Sequence, residues 1–170
     1  RYAWFDDNCS NDPGCAYTTI YDASDNLTPV GTTFQSVGTK SPLFRFGWTV
    51  TANPTSSDVA SNMLDNNLLT RWSTGAAQAA GQYFTVNMGT SQTFSQIVMD
   101  ANGSSDYARG YEVYVSNDGS TWGSPIASGI GSGPTIVVNF AAQTARYIKV
   151  VQTGTASANY WSVHEFNVCN

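Results

Sequence analysis

Oxygen-bearing groups crowd into one short run, Asp65-Asn66-Asn67-Leu68-Leu69-Thr70-Arg71-Trp72. A carboxylate, two amides and a hydroxyl on a tight loop, with backbone carbonyls turned inward, suit Ca²⁺, which takes roughly six to eight oxygen ligands. Asp-Asn-Asn is equally an ordinary turn, so spacing alone leaves both readings open. Nucleophilic catalysis of the Ser-His-Asp or Cys-His kind has to recruit His164, the sole histidine. Its neighbours Val163, Glu165 and Phe166 put it in an apparent strand, where a lone histidine is more often a surface or satisfied core residue. Paired-carboxylate chemistry needs two groups on facing elements, and the two glutamates, Glu112 and Glu165, both lie in strands. The Gly129–Gly133 segment lacks the helix and lysine of a phosphate loop. None of these sets reads as an active site. Cys9 and Cys15 bracket a Pro13-Gly14 turn that can return the chain to disulfide distance. A metal site is the rival, short of ligands; a Cys9–Cys15 bridge implies an oxidising, extracellular compartment. Cys169 is then a free thiol, or the partner of an upstream cysteine if the pairing differs.

These residues need elements to hold them, and the text after residue 45 reads as short strands separated by turn clusters. Phe46–Val50 alternates apolar and small residues. Gln82–Met88 carries Phe84, Val86 and Met88 on one face, and Phe94–Met99 follows after a polar turn. Gly110–Ser116 places Tyr111, Val113 and Val115 opposite Glu112 and Tyr114. Asn117-Asp118-Gly119 is a hairpin-type turn. Thr135–Phe140, Arg146–Val151 and Ser162–Val168 complete the set. Val59, Ala60, Met63 and Leu64 fit one helical turn over 58–64. Such spacing predicts an all-β, antiparallel sandwich or barrel. Residues 1–45 are irregular instead, with one short helix signal at Thr28-Pro29 leading into Val30–Phe34. That segment has too little apolar material for a core of its own. Arg1 in first place, without a basic-plus-apolar leader, reads as a processed product or an excised fragment.

The chain has 170 residues, 41% hydrophobic, 13% aromatic and 11% charged, so one domain with an appendage is expected. Seven Lys+Arg against twelve Asp+Glu give a net charge of −5. That balance argues against nucleic acid and against docking to anionic lipid, both of which need clustered basic side chains. Aromatics this dense argue against disorder. No apolar run approaches the roughly 18 residues of a membrane span. The surface must then be largely Ser, Thr, Asn, Gln and Gly, which suits a neutral polar partner.

Residues 46–168 resemble the discoidin, or coagulation-factor C-type, domain, and in particular family 32 carbohydrate-binding modules of secreted bacterial glycoside hydrolases. The motifs in order are Asp65…Thr70-Arg71-Trp72; Gln82–Gly89, where the family reads W-x-x-V-D-L-G; Gly110–Gly119 with Trp122; Ala145–Val150; and Trp161–Phe166. The resemblance implies an eight-stranded antiparallel jelly-roll β-sandwich over 46–170, with residues 1–45 as an irregular N-terminal extension. It also implies a structural Ca²⁺ tying the Asp65 loop to the last strand. Asp65, Thr70 and Glu165 would supply side-chain oxygens, and Asn62, Asn67 and His164 carbonyls. Asn66 stands where the family usually has Gly, which asks for φ > 0. Trp72, Trp122, Arg146 and Tyr147 take core and hydrogen-bonding roles.

Sugar recognition in this fold uses loops at one end of the sandwich, an aromatic face meeting the ring's C–H surface and planar polar groups meeting hydroxyls. Asp100–Arg109 offers Asp100, Asn102, Asp106, Tyr107 and Arg109. Thr155–Trp161 offers Tyr160 and Trp161. Similar glucanase modules carry D-Y-x-R-G-Y and W-W-S-I-x-E here, with Tyr160 in place of the first Trp. The structural alternatives are a surface Asp106–Arg109 ion pair, worth under about 1 kcal/mol, and Tyr160 or Trp161 as core. Asn53–Ser57 and Gly75–Ala80 are further loops that can join, with Gln78 the best polar candidate. Residues 1–45 resemble the last strand and helix of a TIM-barrel β-glucanase, a fragment without the strand ends a barrel site needs; the rival is a native extension packing Tyr2, Trp4 and Phe5 on the sandwich. The expected protein is a secreted, non-catalytic module that binds an oligo- or polysaccharide, β-glucan first, and targets an attached hydrolase domain. The alternatives are an adhesion or phospholipid-binding discoidin domain, disfavoured by scattered Lys and Arg, and a free-standing lectin.

Overall fold

The computed structural model describes residues 40–170. The Cys9–Cys15 pairing, the Thr28–Phe34 helix signal and the Tyr2, Trp4 and Phe5 packing lie outside them. Among the described residues there are eight strands: β1 Thr49–Asn53, β2 Trp72–Ser73, β3 Tyr83–Asp100, β4 Tyr111–Ser116, β5 Ala127–Gly129, β6 Thr135–Gln152, β7 Ser162–Val163 and β8 Glu165–Cys169. A 3₁₀ turn, Ala60–Leu64, stands where one helical turn was expected, and it buries Met63. No helix among the described residues is long and apolar enough to cross a membrane.

All named pairings are antiparallel. One sheet runs β1-β3-β6-β4-β5, with β8 also on β3, and β2 pairs with β7. Two long strands replace four expected short ones. The polar stretch after Met88 does not end β3: the register slips between Asn87 and Gln92, and again between Phe94 and Gln96, while the ladder with β6 continues. Bulges of this kind bend a strand without ending it, and Gly89 supplies a positive φ of 78° at the bend. The first half of β3 thereby pairs with β1 and its second half with β8, so one strand serves both layers of the jelly-roll sandwich. The β7–β8 segment also differs from expectation, breaking at His164. Ser41 and Leu43 already hydrogen-bond to Asn170 and Val168, so the chain joins the sheet ahead of residue 46.

Alternation dictates the core. Phe84, Val86 and Met88 point inward from β3 and are buried, while Tyr83, Thr85 and Asn87 are half-exposed. Trp72 of β2, Phe84 of β3, Phe166 of β8 and Trp161 ahead of β7 form one aromatic cluster. Its centroid separations are 5.2 Å for Trp72–Trp161, 5.4 Å for Phe84–Trp161 and 5.2 Å for Phe84–Phe166. The edge-on and tilted arrangements are those that ring quadrupoles favour. At the far end Asp118 caps the predicted turn, accepting N–H bonds from Thr121 and Ser120, and those bonds hold its carboxyl well below the ordinary carboxylate range. Its stabilisation is therefore present above about pH 4, the carboxylate value in an unfolded chain, and is lost as pH falls further. Phe84→Ala is expected to cost about 3–5 kcal/mol, the usual range for emptying a buried aromatic site, read as a lower urea midpoint with unchanged slope.

Candidate functional site

Three connections meet at one end of the sandwich: residues 74–82 between β2 and β3, 101–110 between β3 and β4, and 153–161 between β6 and β7. Gln78, only 3% exposed, ties them. Its Nε2 donates to the carbonyls of Tyr160 at 2.7 Å and Tyr107 at 3.0 Å. Its Oε1 accepts from the Arg109 amide at 3.1 Å and from Gln152 Nε2. Gln78, expected to face a ligand, is instead the clamp that fixes the loops. Gly154 permits their close approach, since a Cβ there would lie 2.7 Å from the Arg109 backbone.

Tyr160 and Trp161 part company. Adjacent extended residues point to opposite sides, and here Tyr160 is 43% exposed while Trp161 is 0% exposed inside the aromatic cluster. Trp161 is thus corrected from ligand contact to core; its position is fixed by mutual bonds with Thr74. Around Tyr160 lies a polar rim. Arg109 sits 4.0 Å over the Tyr107 ring and donates to Ser105 O and Asn159 Oδ1. Asn159 Nδ2 reaches Ser105 Oγ and Asp106 Oδ1. The Asp106 carboxylate pairs not with Arg109 but with Arg71, at 3.4 Å. Arg71 also pairs with Asp58 at 3.2 Å, and Ser73 Oγ donates to the same Asp58 oxygen. Arg71, Asp58 and Asn159 were not among the expected site residues. The signal for Arg71 was its place beside inward-pointing Trp72; Asp58 is too far along the chain to carry one.

The remaining two expected ligand contacts belong elsewhere. Asp100 is buried at the end of β3, opposite Glu165, and its Oδ1 accepts the Asn102 amide. Asn102 Nδ2 donates to Leu68 O at 2.9 Å. Asn102 thereby braces the Asp65–Thr70 loop, and Asp100 holds the backbone of Asn102 and the His164 amide. His164 Nδ1 meets the same Leu68 carbonyl at 2.8 Å.

Within that loop the oxygens of Asp65, Thr70 and Asn67 meet. Thr70 Oγ1 donates to Asp65 Oδ2 at 2.7 Å and lies 2.8 Å from Asn67 O. The Asn67 amide donates to Asp65 Oδ1 and to Glu165 Oε1, at 2.9 and 2.8 Å, joining the loop to β8. Asn66 adopts φ 60°, as the replacement of Gly requires. Asn62 anchors the loop through its amide to Arg71 O. Burial pushes the Glu165 carboxyl above its ordinary range, against the pull of Arg45, whose Nη1 is 2.6 Å away. Among the described residues no three His, Cys, Asp or Glu side chains gather; the loop mixes carboxylates with hydroxyl and carbonyl oxygens.

The described residues thus form an antiparallel β-sandwich that carries an exposed tyrosine among polar loops. Residues 47–166 match the F5/8 type C domain family, and the chain belongs to it. Galactose oxidase of Gibberella zeae is 33% identical over 140 residues, covering 75% of this chain. A sialidase of Micromonospora viridifaciens is 34% identical over 119 residues, covering 64% of it. The chain spans only 20% and 18% of those two relatives. Among solved structures, chitosan-binding module 1 of a Paenibacillus sp. IK-5 chitosanase/glucanase shares 30% identity with a TM-score of 0.61, covering 71% of this chain and 92% of that one. The CBM32 of AlyQ, in complex with 4,5-unsaturated mannuronic acid, shares 31% identity with a TM-score of 0.59 and the same coverage. The fold is that of a family 32 carbohydrate-binding module. Gln78→Ala, which strands the buried partners of one side chain, is expected to cost about 1–3 kcal/mol per unsatisfied group, measured as a fall in the thermal midpoint.

Proposed function

We propose that this chain is a secreted, non-catalytic module that binds a neutral saccharide at Tyr160 and tethers an attached glycoside hydrolase to polysaccharide, β-glucan being the first candidate. The exposed Tyr160 ring carries the reading, since a sugar's C–H face needs an accessible aromatic plane beside hydrogen-bonding groups. The charge of the rim supports a neutral ligand: Arg71 and Arg109 stand against Asp58 and Asp106, three of the four tied to one another. Solved relatives are described with chitotriose and with 4,5-unsaturated mannuronic acid, so saccharides of different chemistry are bound on this fold. Pull-down on insoluble polysaccharides together with a glycan array tests it. Tyr160→Ala is expected to weaken binding about tenfold or more, corresponding to about 1.4 kcal/mol, with an unchanged thermal midpoint. Arg109→Ala weakens it as well, through loss of the brace on Tyr107 and Asn159. A wild-type protein that ignores glycans but binds phosphatidylserine vesicles would overturn the reading.

A structural calcium ion belongs to the same proposal. Side-chain oxygens of Asp65, Thr70 and Glu165 and carbonyls of Asn62, Asn67 and His164 would hold it, a set of hard oxygens that suits Ca²⁺. The convergence of Asp65, Thr70 and Asn67 oxygens within hydrogen-bonding distance supports the fit. The ion would neutralise carboxylates and stiffen the loop; it has no part in contacting sugar. Calcium is expected to raise the thermal midpoint relative to chelator, because a ligand of the native state must stabilise it; identical midpoints would exclude the ion.

A further inference from the structure

We propose that the guanidinium of Arg45 is a resident cation of the Asp65–Thr70 loop, closing that loop onto β8 independently of calcium. Arg45 is 7% exposed. Its Nη1 is 2.6 Å from Glu165 Oε2 and donates to Phe166 O at 2.8 Å and Met63 O at 3.2 Å. Its Nη2 donates to Asn66 Oδ1. These partners come from three segments: Met63 from the 3₁₀ turn that enters the loop, Asn66 from the loop itself, and Glu165 and Phe166 from β8. A planar fork with several fixed donors spans such a set, and an ammonium does not.

The electrostatics divide the loop in two. Glu165 is buried, and an uncompensated buried carboxylate is strongly destabilising. Arg45 compensates it from inside the chain, so the Glu165 charge does not depend on a metal for its partner. Asp65 is exposed and Thr70 half-exposed, so an ion can come and go on their side. The loop therefore has a permanent inner closure, and calcium, on the reading proposed above, would add to it by sharing Glu165 with Arg45 and taking Asp65 and Thr70 from the outer side.

Hydrogen exchange at the Asn67 amide reads closure directly, because that N–H bonds both Asp65 and Glu165. In EDTA the wild-type protein is expected to slow this exchange about tenfold or more relative to an open loop. Arg45→Met is expected to lose that protection in EDTA and regain it with added CaCl₂. Arg45→Lys, which keeps the charge but not the fork, should lose at least about half of it, and carries the test if Arg45→Met does not fold in either condition. A wild-type loop open in EDTA, or either variant protected there as the wild type is, overturns the proposal. If calcium changes nothing in any of the three proteins while the arginine effects hold, the calcium reading fails and the resident cation stands.

Discussion

Both loop systems hang on the packing of Trp72, Phe84, Trp161 and Phe166 against one another. Each ring belongs to a different segment, and three of the four directly follow a charged or exposed side chain of the two loop systems. Arg71 precedes Trp72, Tyr160 precedes Trp161, and Glu165 precedes Phe166. Adjacent extended residues face opposite ways, so burying the aromatic aims its neighbour outward or into the loop. The hydrophobic cluster thus positions polar groups it never touches. This is also why the cluster is edge-on and dense: a looser core would let three separate segments rotate independently.

Scarce charge acquires a meaning from this arrangement. Arg45 is committed to Glu165, Arg71 to Asp58 and Asp106, and Arg109 to the face of Tyr107. Lys149 lies over the Trp122 ring at 4.4 Å and the Tyr83 ring at 5.3 Å, and Arg146 over Tyr147. Basic side chains here act as local fasteners with named partners and build no field for polyanions. The half-exposed Tyr114 and Glu112 satisfy one another in the same way, at 2.6 Å, and that bond raises the phenol above its ordinary range.

Much of the sandwich was legible because burial on one face writes a period of two into the chain, as at Phe84, Val86 and Met88. The polar stretch after Met88 misled, since a bulge and a turn use the same residues and differ only in whether the partner strand continues. Asp65, Thr70 and Asn67 were legible as a set because they are local. That Asn102 reaches across to Leu68 was not legible, because sequence proximity to Asp106 says nothing of contacts with the Asp65–Thr70 loop. Tyr160 and Trp161 could not be separated in advance: alternation demands that one go in, and only packing against Phe84 and Trp72 chooses. Arg45 escaped notice for a different reason, lying just ahead of the expected strands with every partner distant in the chain.

Gln78 grips the three rim residues it touches by their main chain: the carbonyls of Tyr107 and Tyr160 and the amide of Arg109. A grip of that kind is blind to what side chains those positions carry. The rim can therefore be rewritten residue by residue, exchanging one ring or one charge for another, without renegotiating how the loops are held. A buried amide at this point gives a fixed frame with a replaceable face, on which a single substitution can alter what is bound without disturbing how the loops fold.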